Sequence, residues 1–164
     1  MTDNGARDIS LRPLTEDDIT VLFEIQLDED AQRLAAFTDA ETARDANAFE
    51  RKYRKILADD AIVNRIVEVR GEVVGSVATF PMEGDTELTY WIRKDWWGKG
   101  VATAAVAALL DEVKHRPIHA RVVEDNTGSV RVLERNGFVR VGSEDSFAPG
   151  RRATVTELIF MLAG

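Results

Sequence analysis

Tyr90-Trp91-Ile92-Arg93-Lys94-Asp95-Trp96-Trp97-Gly98-Lys99-Gly100-Val101-Ala102-Thr103 is the stretch on which the fold turns. It closes a run, Thr86 to Ile92, whose β-branched and aromatic residues suit a strand. It then opens an Ala-rich run with Val106, Leu109, Leu110 and Val113 on one helical face. A strand therefore hands over to a long helix through a glycine turn. The backbone N–H groups of the first helical turn have no intrahelical partners and the helix dipole is positive there, so such a junction suits an anion. Gly98 and Gly100 allow positive φ and let a phosphate approach the main chain, Ala102 and Thr103 keep the first turn uncrowded, and Lys99 adds a charge. The spacing is neither that of a Walker loop nor the three-glycine dinucleotide fingerprint, which argues against nucleotide triphosphate hydrolysis. The plainer alternative is a glycine turn that only ends a strand.

Outward from this junction the chain reads as alternating short elements. Ile9 to Leu14 alternates as a strand, and Thr15 caps a helix with Glu16, Asp17 and Asp18 in its first turn, ending near Glu29. Leu14 is placed to pack on Ile19 four residues into that helix. Asp30 to Glu41 is ambiguous, and Thr42 to Asp59 carries Phe49, Tyr53, Ile56 and Leu57 at helical spacing. Residues 64–69, 72–80 and 86–92 read as an antiparallel meander with breaks at Arg70-Gly71 and Glu83-Gly84-Asp85. After the long helix, ended by Lys114-His115-Arg116-Pro117, come a strand at Ile118 to Val123, a helix at Ser129 to Asn136 closed by Gly137, and strands at 138–146 and 154–162. The expected class is α/β (α+β): a mixed, mainly antiparallel central sheet of about seven strands flanked by about four helices.

The 164 residues are 45% apolar with three Trp and seven Phe, enough for one core, so a single domain over 1–164 is expected. Met1 to Asp8 is polar and no segment approaches bilayer-crossing length, so a cytoplasmic location and no membrane partner are expected. The absence of cysteine excludes disulfides, thiolate metal sites and a cysteine acyl-enzyme. A formal charge of −8 argues against a nucleic-acid partner and fits cationic ones, although most acidic surfaces are merely solvated.

The stretch from Tyr90 to Thr103 resembles the acetyl-CoA motif of the GNAT superfamily, whose turn reads Gln/Arg-x-x-Gly-x-Gly/Ala. Trp97, Gly100 and Ala102 occupy its fixed positions, with Trp in place of the first polar residue. A second block, Glu124-Asp125-Asn126-Thr127-Gly128-Ser129-Val130-Arg131-Val132-Leu133-Glu134-Arg135-Asn136-Gly137-Phe138, is similar to the family's following segment. The opening Leu11-Arg12-Pro13-Leu14-Thr15-Glu16-Asp17-Asp18 is similar to its start. The likeness runs from about Ile9 to Leu162 and is greatest to the branch that acetylates ribosomal-protein N-termini. It implies a GNAT-type fold and an N-acetyltransferase. Acetyl-CoA would bind at Ile92, Trp97, Gly98, Lys99, Gly100, Val101, Ala102, Thr103 and Asn126, with no metal, and the acetyl group would pass directly to an amine acceptor. That acceptor would be a protein N-terminus or a small molecule. The family often forms homodimers, though no segment here names an interface.

Amine acetylation needs a neutral amine against the thioester carbonyl, a route for its proton and a donor to the oxyanion. Strand alternation puts Glu87 on one face with Thr89 and Trp91, and the resemblance implies that a Glu here acts as base, often through water; a solvated carboxylate is the bland alternative. The implied oxyanion donor is a backbone N–H near Ile92. Where many members carry a tyrosine as general acid this chain has Leu133, and Ser129 is the substitute, unless its hydroxyl merely caps the helix. The same gap lends support to a rival reading, an acyl-CoA sensor without catalysis. Asn126 suits the pantetheine arm or a nearby backbone group. His115 and His119 read as structural or surface residues, and Trp96 and Trp97 as packing between helix and sheet. Arg131 and Arg135 lie a turn apart, either in reach of a 3′-phosphate or merely solvated as exposed helix arginines usually are, and the loop Phe147 to Arg152 borders the acceptor pocket in such folds.

Overall fold

A computed structural model describes residues 8–36 and 43–164. The strands are β1 (Ile9–Pro13), β2 (Val63–Val69), β3 (Glu72–Met82), β4 (Asp85–Ile92), β5 (Ile118–Val123), β6 (Val139–Ala148) and β7 (Ala153–Leu162). The α-helices among the described residues are α1 (Ile19–Gln26), α2 (Glu29–Ala35), α3 (Ala46–Ala58), α4 (Val101–Glu112) and α5 (Thr127–Arg135). The seven strands form one sheet in the order β1-β2-β3-β4-β5-β7-β6. Every neighbouring pair is antiparallel except β4 and β5, which run parallel.

The mixed, mainly antiparallel class agrees with the sequence reading, with one helix more. The helix expected from Thr15 to Glu29 is divided. Asp18 accepts from the Thr15 N–H and hydroxyl at 2.8 and 2.9 Å around a single 3-10 turn, after which α1 begins. It ends at Gln26, where Asp28 leaves the helical conformation with ψ at 126° and caps a new helix, accepting from the Ala31 N–H at 2.9 Å. The helix expected from Thr42 starts at Ala46 under an Asp45 cap, and Thr42 itself lies outside the described residues.

Both hairpins of the meander use two-residue turns with positive φ at each position, Arg70-Gly71 and Glu83-Gly84, which matches the right-handed twist of their strands. Alternation then sorts the sheet. One face packs Val67, Val77, Leu88, Ala120, Val122 and Leu158 under α4 and α5. On the other face Ile66 meets Leu14, Ile19, Leu22, Ile25 and Phe49 from the α1 and α3 side. Leu14 and Ile19 do share this cluster, as the sequence suggested. Arg12, on β1, is held by the buried Asp18 at 2.7 Å and by Glu68 at 3.0 Å.

The parallel pair positions the site. β4 and β5 meet at a single register point, Glu87 opposite His119. Beyond it the two strands part, and their C-terminal halves border an opening in an otherwise continuous sheet. No described helix is long and apolar enough to cross a membrane.

Candidate active site

The glycine turn forms as its sequence demands. Gly98 and Gly100 take φ of 73° and 79°, and Gly100 stands at the N-cap of α4 without a side-chain cap. The first intrahelical bond joins the Ala104 N–H to the Gly100 carbonyl, so the N–H groups of Val101, Ala102 and Thr103 are left for a ligand. They border a cleft of about 530 Å³ between α4, α5, α2 and the end of β4. Trp97, Gly98, Gly100, Val101, Ala102 and Thr103 line it, together with Ile92, Asn126 and Ser129. Lys99 does not. Its ammonium lies 5.0 Å from the ring centre of Trp96 and is held there as a cation–π pair. Arg131 and Arg135 line the same cleft from α5.

Trp96 packs on the core, as expected, whereas Trp97 is 36% exposed and serves the cleft. Its indole N–H donates to the Ile92 carbonyl at 2.7 Å, which pins the end of β4 to the turn. Arg93 donates its N–H to the Val74 carbonyl on β3 at 2.7 Å. Peptide groups alternate edges along a strand, so the N–H of Ile92 faces the other way, into the gap that β5 has left.

A smaller cavity of about 150 Å³ continues through that gap. It is lined from both faces of the sheet, by Leu88, Tyr90 and Leu133 on one side and Thr89, Arg121 and Glu157 on the other. Leu34, Ala35, Tyr90, Trp91, Asn126 and Ser129 border both spaces and so mark their junction. Asn126 caps α5, accepting from the Ser129 N–H at 3.3 Å. The capping role considered for Ser129 therefore falls to Asn126, and the serine hydroxyl instead lies 2.7 Å from the Tyr90 hydroxyl. Burial pushes the Tyr90 phenol up to about 12, against the opposing effect of that hydrogen bond.

Glu87 shares a face with Thr89 and Trp91 but is 6% exposed, not a solvated carboxylate. It borders neither space; it sits at the apex where β4 and β5 meet. Burial raises its carboxyl above the ordinary value, and Arg121 at 3.7 Å pulls the other way. Arg121 also reaches Glu157 at 3.2 Å and Glu144 at 3.3 Å. Glu157 and Tyr90 are absent from the sequence reading of the site. For Tyr90 the signal was present, since alternation sets it opposite Glu87 and toward the helix that carries Ser129. For Glu157 there was none, because only the β5-β7 pairing brings it in. The Nδ1 of His119 is buried without a hydrogen-bond partner among the described residues, and His115 is exposed. The turn between β6 and β7 borders the site through α2: Gly150 donates to the Ala36 carbonyl at 2.8 Å, and Arg151 binds Asp125 at 2.7 Å. Among the described residues no group of carboxylate or histidine side chains is arranged to hold a metal.

An uncharacterised N-acetyltransferase of Bacillus licheniformis, p20, is 26% identical, covering 94% of this chain and 92% of that protein. Spermidine N-acetyltransferase from Vibrio cholerae, solved with CoA and spermine, superposes with a TM-score of 0.77 at 21% identity over 94% of this chain and 96% of its own. Ribosomal-protein-alanine N-acetyltransferase from Brucella melitensis gives 0.78 at 21% identity over 94% and 99%. Residues 8–139 match the family model described as an acetyltransferase (GNAT) domain, and with most of its length inside that match this chain belongs to the GNAT acetyltransferases.

Proposed function

We propose that this acetyltransferase carries an acetyl group from acetyl-CoA directly to a primary amine within a ternary complex formed by one domain. The observation that carries the reading is the parting of β4 and β5, which joins the glycine-turn cleft to a cavity open toward the opposite face of the sheet. The pyrophosphate binds the N–H groups at the start of α4, with Arg131 and Arg135 at the rim, and the pantetheine arm runs along the cleft past Asn126. The thioester then lies at the junction, with its carbonyl oxygen against the Ile92 N–H and its sulfur beside Ser129.

The acceptor enters by the smaller cavity. Its neutral nitrogen attacks the carbonyl carbon, and its proton leaves through water toward Glu87 at the apex, with Glu157 on the cavity wall. A carboxyl held above its ordinary value by burial is a better acceptor of that proton than a solvated one. The named neighbours point to two acceptor classes, polyamines such as spermidine and protein N-termini. The carboxylates around Arg121 suit either, since both present an ammonium before deprotonation.

The test is acetyl-CoA consumption, read as free thiol, against N-terminal peptides, polyamines, amino acids and aminoglycosides, with acetyl-CoA binding measured by calorimetry. Turnover on one class identifies the acceptor. Binding without turnover across the panel would favour a sensor, and absence of binding would overturn the reading.

A further inference from the structure

Tyr90 and Ser129 approach each other from opposite walls, one from the middle of β4 and the other from the first turn of α5, and meet at 2.7 Å where the two spaces join. A serine hydroxyl has one hydrogen and rotates freely, so by itself Ser129, in the first turn of α5, aims that hydrogen in no fixed direction. A phenol at hydrogen-bonding distance changes the choice. If the phenol donates to Ser129 Oγ, one serine lone pair is filled and the serine hydrogen is left to point elsewhere, into the junction.

We propose that Tyr90 is a positioning residue of the transfer reaction: its hydroxyl donates to Ser129 Oγ and so turns the serine O–H toward the sulfur of the departing CoA. The inference rests on the reading above that the thioester lies at this junction. In the step concerned, the amine nitrogen bonds to the carbonyl carbon, the carbon–sulfur bond breaks and its electron pair stays on sulfur. The Ser129 O–H donates a charge-assisted hydrogen bond to that thiolate. The amine's proton goes through water to Glu87, the thiolate takes its own proton from solvent once the bond has broken, and neither hydroxyl changes its charge. Tyr90 suits the part because its buried phenol stays protonated throughout the neutral range. Leu133, on the wall of the smaller cavity, contributes no hydroxyl, and among the described residues Tyr90 and Ser129 are the hydroxyl-bearing ones that border both spaces.

The experiment uses the full chain with CoA itself as the probe and needs no acceptor. The pH titration of the bound thiol is followed by the ultraviolet absorbance of its thiolate in the wild type, Tyr90→Phe, Ser129→Ala and the double variant. A hydrogen bond to the thiolate lowers the thiol's apparent pKa below that of free CoA. The expected result is a rise of about one pH unit in each single variant, the tenfold equivalent of one such bond. The double variant rises no further, and CoA binding to the neutral thiol form is unchanged by calorimetry. A rise in Ser129→Ala but not in Tyr90→Phe would overturn the role of Tyr90 and leave that of Ser129. Additive rises would overturn it too, since the phenol would then act on its own. A bound thiol that titrates like free CoA in every protein would refute the placement of the sulfur instead.

Discussion

Replacing Gly75 by Ala tests whether the parting of the sheet depends on one close approach of backbone to backbone. In β3 the register shifts so that Val67 faces Gly75 and Glu68 faces Val73, leaving Val74 as an extra residue whose carbonyl holds the Arg93 N–H at 2.7 Å. A Cβ added at Gly75 would lie 2.0 Å from the Trp91 carbonyl oxygen and 3.0 Å from Ile92 Cα. Ordinary contact begins at 3.4 Å, so β3 and β4 would have to move apart by more than 1 Å at the point where the Ile92 N–H is aimed. Two backbone hydrogen bonds would be weakened at about 1 kcal/mol each, and the overpacking adds roughly 1–3 kcal/mol. The sum, about 3–5 kcal/mol, corresponds to a fall in Tm of roughly 6–20 °C for a domain of this size. Circular dichroism melting would read it, and the rise in Tm given by saturating acetyl-CoA should shrink as well. A Tm within about 2 °C of the wild type, with the acetyl-CoA effect intact, would refute the argument.

Ala102→Glu places an acid in the first turn of α4, where the dipole welcomes it. The unliganded protein should melt no lower than the wild type, while the rise in Tm on adding CoA should disappear; a persisting rise would mean that the pyrophosphate binds elsewhere. Glu87→Gln should abolish turnover with acetyl-CoA binding intact. Because burial raises the Glu87 carboxyl in the folded state, ionisation withdraws stability as pH rises through the unfolded value toward the folded one. The Gln variant should therefore melt at or above the wild-type temperature at pH 7, with the difference vanishing at acid pH, and a lower Tm at pH 7 would contradict this. Asp18→Asn should act in the opposite sense. The Arg12 hydrogen bond holds the Asp18 carboxyl below its ordinary value, so its contribution is present above the unfolded pKa and is lost as pH falls through the folded one. The variant should cost about 2 kcal/mol at neutral pH, a buried-pair value discounted for the partly exposed Arg12, and should approach the wild type in urea melts below about pH 4.

Order and type of most elements followed from local rules, because period-2 and period-3.6 patterns, caps and glycine turns act over a few residues. The strand-turn-helix at Trp97 to Thr103 is the clearest case: two glycines, an Ala-rich run and no side-chain cap suffice to leave three N–H groups facing outward. The closing of α5 by Gly137, at φ 87°, was equally local. The break at Asp28 was not visible, since a helical pattern and a cap compete at that point and packing of α2 against β5 accompanies the outcome.

Local sequence was enough to name the residues able to form the glycine turn, the alternation of β4 and the chemistry available to each. Tertiary structure decided which of them meet. The single pairing of Glu87 with His119 opens the sheet, buries Glu87 at its apex and turns Tyr90 onto Ser129, 39 positions away. Strand order likewise brought Glu157 beside Arg121, 36 positions away, while Lys99 was drawn onto Trp96 and out of the cleft's lining. These are contacts between distant segments. Their energies depend on burial and register across the whole sheet, and no window of sequence around any one residue contains them.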